Sequence, residues 1–195
     1  MDFDKVIEQR HSVRDFKKDK KPDYRDIISA IESATKAPLA GNISAIRYIL
    51  IQDKEKIKEL ANAAQQSFIA QTSYVVIVIS DKKSLVRSYY KRGEMYARQQ
   101  AGAAIENFLL KITELGLASC WIGAFSDETV RRIAEIPDEF DIEAMLPIGY
   151  EMGKGKQQRK AELDHVLSFD GYGIGPAKYE KKYASSRRII PGSKT

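Results

Sequence analysis

The sequence predicts an α+β domain, a central sheet flanked by helices, on three observations. Residues 75–79 read Val-Val-Ile-Val-Ile, β-branched and apolar at every position, as in a strand covered on both faces. From about Glu94 to Leu115 the residues Ala101, Ala104, Ile105, Phe108, Leu109, Ile112 and Leu115 recur at helical spacing. The chain has 195 residues, 43% apolar and 30% charged, enough for one globular domain with a real core.

Taken in order, residues 2–9 predict a short helix with Phe3, Val6 and Ile7 on one face and Asp2 or Asp4 near its start. Pro22 and Asp23 open a second helix whose core stripe is Ile27, Ile28, Ile31 and Ala34. It ends before Pro38, because the residue preceding a proline is pushed out of the helical region. A Gly- and Asn-containing loop, Pro38 to Ser44, leads into a strand from Ile46 to Ile51. Lys54 to Gln71 reads as one helix, and the apolar strand at 75–79 follows. The tyrosine-rich segment Lys82 to Arg92 carries no clear pattern.

The long helix stops at Gly116, and its Ala101-Gly102-Ala103-Ala104 portion is thin enough for close approach by a helix or a cofactor, or equally for simple core packing within the chain. Residues 116–125 read as a strand running into a turn. Ser126-Asp127-Glu128 cap a short helix containing Val130, Ile133 and Ala134, stopped by Pro137. Ile142 to Tyr150 is a further strand, and Pro147 argues for an edge or a bulge there. A basic loop from Gly153 to Lys160 and a basic, aromatic tail complete the chain, with no internal repeat.

Composition excludes several functions. The single cysteine, Cys120, rules out an internal disulfide and reads as a buried apolar filler, with no histidine near it in sequence. Two well-separated histidines signal no zinc site, so no metal is expected. The acidic start carries no secretory signal and no apolar run approaches a bilayer span, so no membrane association and a cytoplasmic location are expected. The net charge of +5 is mild and scattered, and no helix-turn-helix, zinc-finger or RNP-like pattern supports nucleic-acid binding. No G-x-G-x-x-G follows a strand, so no permanent nicotinamide domain is indicated.

The segment that points to chemistry is Arg10-His11-Ser12-Val13-Arg14-Asp15-Phe16. If extended, it puts Arg10, Ser12 and Arg14 on one side, two planar guanidinium forks and a hydroxyl suited to a phosphate. His11 would add a donor at the edge, and Asp15 would hold an arginine in place.

Glu8 to Phe16 resembles the opening signature of the FMN-dependent nitroreductase family, commonly R-R-S-x-R-x-F. Three more segments resemble that family in the right order. Ala37-Pro38 and Asn42 are similar to A-P-S-x-x-N-x-Q-P-W, with Ser44 and Ile46 departing from its Gln and Trp. Residues 116–125 resemble G-L-G-S-C-W-I-G-A-F. Leu146 to Tyr150 resembles L-x-x-G-Y-P, with Glu151 in place of the proline, and residues 163–167 resemble R-K-x-L-x-E-V-V. The resemblance covers residues 1–173 as an FMN-binding domain and leaves 174–195 as a basic tail.

The resemblance implies a mostly antiparallel sheet in an intertwined homodimer built on the long helix. It implies FMN held through its phosphate by Arg10, Ser12 and Arg159, with Lys160 and His11 beside them. Arg14 would face the negative charge of reduced flavin, while Asn42 and the backbone of Ile122, Gly123 and Ala124 would position the ring. No catalytic side chain is then required. NAD(P)H would act as a transient electron donor and a small electron-poor molecule, such as a nitroaromatic or a quinone, as acceptor. The alternative is an FMN-binding carrier or sensor without significant turnover.

Overall fold

The computed structural model describes residues 2–153, 155 and 160–175, which divide into two compact units, 1–156 and 157–195. In the first unit the sheet forms around one strand. Residues Tyr74–Ser80 (β2) are buried at all seven positions. β2 pairs antiparallel with Ile46–Ile51 (β1) on one side and with Asp141–Gly149 (β4) on the other. The two-residue Ala118–Ser119 (β3) completes an antiparallel sheet of order β1-β2-β4-β3. Full apolarity of β2 thus reports a central strand, as the sequence predicts.

Pro147 lies neither on an edge strand nor at the bulge. The bulge is at Glu143, where Val78 pairs with Ala144 and Ile79 with Ile142. Met145 exchanges both backbone hydrogen bonds with Ile122 at 3.0 Å. The alternate residue Pro147 therefore turns its donorless nitrogen to the same side, where Cys120 and Trp121 leave the ladder. An interior proline costs nothing where no partner waits.

Because β2 is apolar on both faces, the sheet needs a layer of helices on each. Tyr24–Ala34 (α2) and the long Lys91–Glu114 (α5) pack over Val76, Val78, Ala144, Leu146 and Ile148. Lys54–Ala63 (α3) and Asp127–Ala134 (α6) cover Val75, Ile77, Ile79 and Met145 on the other face. Phe3–Gln9 (α1) crosses α5 and buries only Val6, leaving Phe3 and Ile7 in solvent. Ile28 of α2 is exposed as well, so the buried stripe is Ile27, Ala30 and Ala34.

The helix read over 54–71 is broken. Gln65 adopts a left-handed φ of +53°, with its N–H on the Asn62 carbonyl and the Gln66 N–H on that of Ala61. This pair of bonds is a Schellman stop made with glutamine where glycine is usual, and a 3-10 turn, Ser67–Gln71, follows. The unassigned segment is a helix, Lys83–Tyr89 (α4), joined to α5 through Tyr90 at φ 50°, ψ −131°. In the second unit, Leu163–Val166 (α7) is a single turn. Among the described residues no helix is long and apolar enough to cross a membrane.

Where α5 leaves α4, the two backbones touch. A Cβ on Gly93 would lie 2.5 Å from the Leu85 carbonyl group, backbone that cannot rotate away. Gly93→Ala is expected to cost about 1–3 kcal/mol, the range for overpacking. In thermal melts that is a fall of about 2–4 °C per kcal/mol for a chain of this size. Gly123→Ala, whose added methyl would meet nothing within 4 Å, should leave the midpoint unchanged.

Candidate functional site

The segment after α1 leaves the helix extended at Arg10 and is stitched down on both sides. The Val13 N–H donates to the Ser119 carbonyl of β3 at 3.0 Å. Phe16 bridges Glu151 beyond the end of β4, and the Lys17 and Met152 N–H groups donate to Tyr150 and Asp15 carbonyls. Val13, Phe16 and Ala118 form a small core of their own, with Phe16 stacked on Phe68 at 6.3 Å. Burying those two apolar residues leaves the polar members of the segment at the surface. Ser12 and Arg14 are exposed, and Arg14 has no ion-pair partner among the described residues.

Arg10 is held from an unexpected direction. Its Nε lies 3.2 Å from Glu106 Oε1 on α5, and its side chain is 19% exposed. Glu106, rather than the expected Asp15, steadies the guanidinium. The other faces of that fork remain available for an anion, since Arg carries five donors.

His11 is likewise engaged. Its Nδ1 lies 2.7 Å from the Gln9 carbonyl and its Nε2 2.8 Å from Glu151 Oε1. A carbonyl and an ionised carboxylate only accept, so both ring nitrogens carry protons in this arrangement. The Gln9 bond, above all, and the Glu151 carboxylate hold the imidazole above its ordinary pKa, against partial burial and the nearby Arg10 charge. The Gly155 N–H donates to the same carboxylate oxygen at 2.8 Å, and a side chain at 155 would strike both Glu151 and His11. Two departures from the family signatures, His11 and Glu151, therefore meet in one contact. His11 can offer an anion charge here, with both of its ring donors already used.

Cys120 follows β3, its thiol beside the Ser12 hydroxyl and within the field of Arg14. Burial is the largest influence and pushes the thiol above its ordinary pKa, so it stays protonated at neutral pH and is no nucleophile. Trp121 is 42% exposed and approaches Gly102 of α5. Ile122 is buried in its bridge to Met145, after which Gly123 and Ala124 are exposed. Backbone groups there are open to a planar partner, since no side chain at Gly123 stands in the way.

Asn42 closes a 3-10 turn, Ala40–Asn42, and is exposed. Gly41 and Asn42 both sit in the left-handed region, at φ 57° and 58°, which suits glycine and asparagine. The Tyr89 hydroxyl packs on Gly41, and Tyr96 meets Tyr89 edge-on at 5.1 Å. Ser12 and Arg14 thus gather around Cys120, Arg10 reaches α5, and Asn42 stands on a separate turn beside α4. Arg159 lies outside the described residues. Lys160 is exposed and belongs to the second unit. Among the described residues no group of three metal-ligating side chains occurs.

The His11–Glu151 contact sets a pH dependence. A pKa raised in the folded state stabilises fully below the unfolded value of 6.5 and ceases to as pH rises through the folded value. Against Glu151→Gln, the unsubstituted protein should be more stable at pH 6 by about 1 kcal/mol, the scale for a partly exposed pair. Urea unfolding at pH 6 and pH 9 should show that gap closing at the higher pH. A gap independent of pH would contradict the assignment.

Comparison with known proteins identifies the family and the fold. The family model described as Nitroreductase family matches residues 7–73 and 61–150. A Streptococcus pyogenes protein named "Putative NAD(P)H nitroreductase Spy0809" is 29% identical over 86% of this chain and 98% of its own. A nitroreductase family protein from Streptococcus pneumoniae superposes with a TM-score of 0.77 at 23% identity, over 86% of this chain and 100% of that one. An FMN-dependent nitroreductase from Clostridium difficile does so with a TM-score of 0.73 at 22% identity, over 86% and 98%. With the family model matched over most of the chain and the fold shared, this protein belongs to the nitroreductase family.

Proposed function

We propose that the protein is an FMN-dependent oxidoreductase that passes electrons from NAD(P)H to a small electron-poor acceptor such as a nitroaromatic or a quinone. The observation that carries this reading is the cluster at the start of the chain. Arg10 is braced by Glu106, while Ser12 and Arg14, which has no ion-pair partner among the described residues, stay at the surface near Cys120. The donor named for the Streptococcus pyogenes relative and the cofactor named for the Clostridium difficile structure support the same roles here.

The residues fit FMN by their chemistry. Guanidinium forks and a hydroxyl match a phosphate, an asparagine amide matches the mixed donor and acceptor edge of the ring, and an open glycine backbone lets a planar system approach. We assign the phosphate to Arg10 and Ser12, with the charge of His11 beside it. Arg159, outside the described residues, and Lys160, in the second unit, are proposed as anion-binding on the family resemblance alone. Arg14 would favour the reduced, more negative flavin, while Asn42 and the backbone of Ile122 to Ala124 would orient the ring. Bound FMN supplies the redox chemistry. The chain binds it, orients it and sets the charge around it, with no side-chain nucleophile needed. The cytoplasm is the compartment proposed, since it holds the nicotinamide donor.

The exposed apolar residues Phe3, Ile7, Met95 and Trp121 lie on α5 itself and on α1 and the segment after β3, each of which contacts α5. They support a homodimer built on this side of α5. Light scattering should return twice the chain mass of 22.0 kDa, and a flavin-loaded monomer would contradict it.

Turnover is tested by NAD(P)H oxidation with FMN and a quinone or nitroaromatic acceptor. A protein that binds FMN but oxidises neither nucleotide would be a flavin carrier or sensor. For the phosphate site, a charge-assisted hydrogen bond is worth about 1.5–3 kcal/mol. Arg10→Ala should therefore weaken FMN about ten- to a hundredfold. Riboflavin, which lacks the phosphate, should bind the unsubstituted protein poorly and respond little to the substitution. Equal losses for both flavins would mean that Arg10 acts through folding.

A further inference from the structure

Gln100 is the one strongly polar side chain buried on α5, 4% exposed among Ala97, Ala101 and Ala104. A buried amide is costly unless both its donor and its acceptor are used. Its carbonyl accepts from the Ala40 N–H at 3.0 Å and its NH2 donates to the Ile43 carbonyl at 3.2 Å, the amide orientation that satisfies both groups. Those partners stand on either side of Gly41 and Asn42, the two consecutive left-handed residues. From the other direction the Tyr89 hydroxyl, braced by Tyr96, packs on Gly41. The turn is therefore gripped at both ends and pressed in the middle, while the Asn42 side chain stays exposed.

We propose that Gln100 is a positioning residue for the flavin ring: by clamping Ala40 and Ile43 it holds Asn42 in the backbone conformation that presents its amide to the cofactor. This rests on the flavin reading above and adds a residue that touches no cofactor itself. The clamp needs a group that donates and accepts at once, which the amide does. A carboxylate could accept from Ala40 but not donate to Ile43, and a hydrocarbon could do neither.

The test is a double-mutant cycle between Gln100→Leu and Asn42→Ala on the FMN-loaded protein at saturating flavin. Its readouts are the visible absorption band and the midpoint potential of the bound flavin. Each single variant is expected to shift both in the same direction. The expected change in the ratio of affinities for reduced and oxidised flavin is about tenfold, or about 30 mV for a two-electron couple. With Asn42 already replaced, the Gln100 substitution should add nothing. In the protein without flavin, Gln100→Leu should also speed hydrogen exchange at the Ala40 amide. If Gln100→Leu does not accumulate folded, the near-isosteric Gln100→Glu takes its place in the same cycle. A melting temperature that falls while spectrum and potential stay put would make Gln100 a packing residue only and overturn the proposal, as would full additivity with Asn42→Ala. Failure of the unsubstituted protein to bind flavin would show itself first, and would overturn the flavin reading together with this one.

Discussion

Burial of α5 along one face of the sheet is the constraint from which the site geometry follows. Ala97, Ala101 and Ala104 let the helix lie close, and Ile105, Phe108 and Ile112 fill the space toward β2 and β4. A fully buried side chain of that kind contributes about 1.5–3 kcal/mol, so the position of the helix axis is strongly fixed. Its remaining surface then becomes a ruler. Gln100 takes the turn at 40–43, Gly102 receives Trp121, and Glu106 takes Arg10, all within about 9 Å of helical rise. Three segments far apart in sequence are placed against one rigid element, which is how a fold of short strands and turns can hold a site with little slack.

The charges are managed individually. Arg10 is neutralised in part by Glu106 and His11 by Glu151, each an acid brought from a distant part of the chain. Arg14 keeps its charge toward solvent, next to Ser12 and Cys120. The positive potential that matters is therefore local and one-sided, and the overall +5 has little to do with it. Such an arrangement suits an anion that arrives and stays better than an extended polyanion, which would need a row of free cations.

Much of this was legible in the sequence, where the physics is local. Val75 to Ile79 reported a central strand because every residue is β-branched, and Ser126 reported a helix start because its hydroxyl caps the Thr129 N–H. The short basic segment at 10–14 was picked out by its resemblance to a family signature, since its residues alone also suit a solvated turn. What escaped were long-range pairings, which leave no mark at either end. Nothing in the sequence ties Glu106 to Arg10 or Gln100 to the turn at 40–43, and Glu151 stood out only as a replacement of the family's proline. The Schellman stop at Gln65 was hidden because glutamine does not usually take a left-handed φ. Pro147 misled because its rule concerns a missing donor, and whether a partner waits for that donor depends on where β3 ends. The exposure of Phe3, Ile7 and Ile28 was also invisible, since an apolar face looks alike whether it meets the core or another molecule.

If the surface organised by α5 is a flavin site, a crystal structure of the protein grown with FMN will show the phosphate on the Arg10 guanidinium and the Ser12 hydroxyl, with the ring against Asn42 and the backbone at Gly123. Flavin bound elsewhere on the chain, or a phosphate that leaves Arg10 and Ser12 untouched, would contradict it.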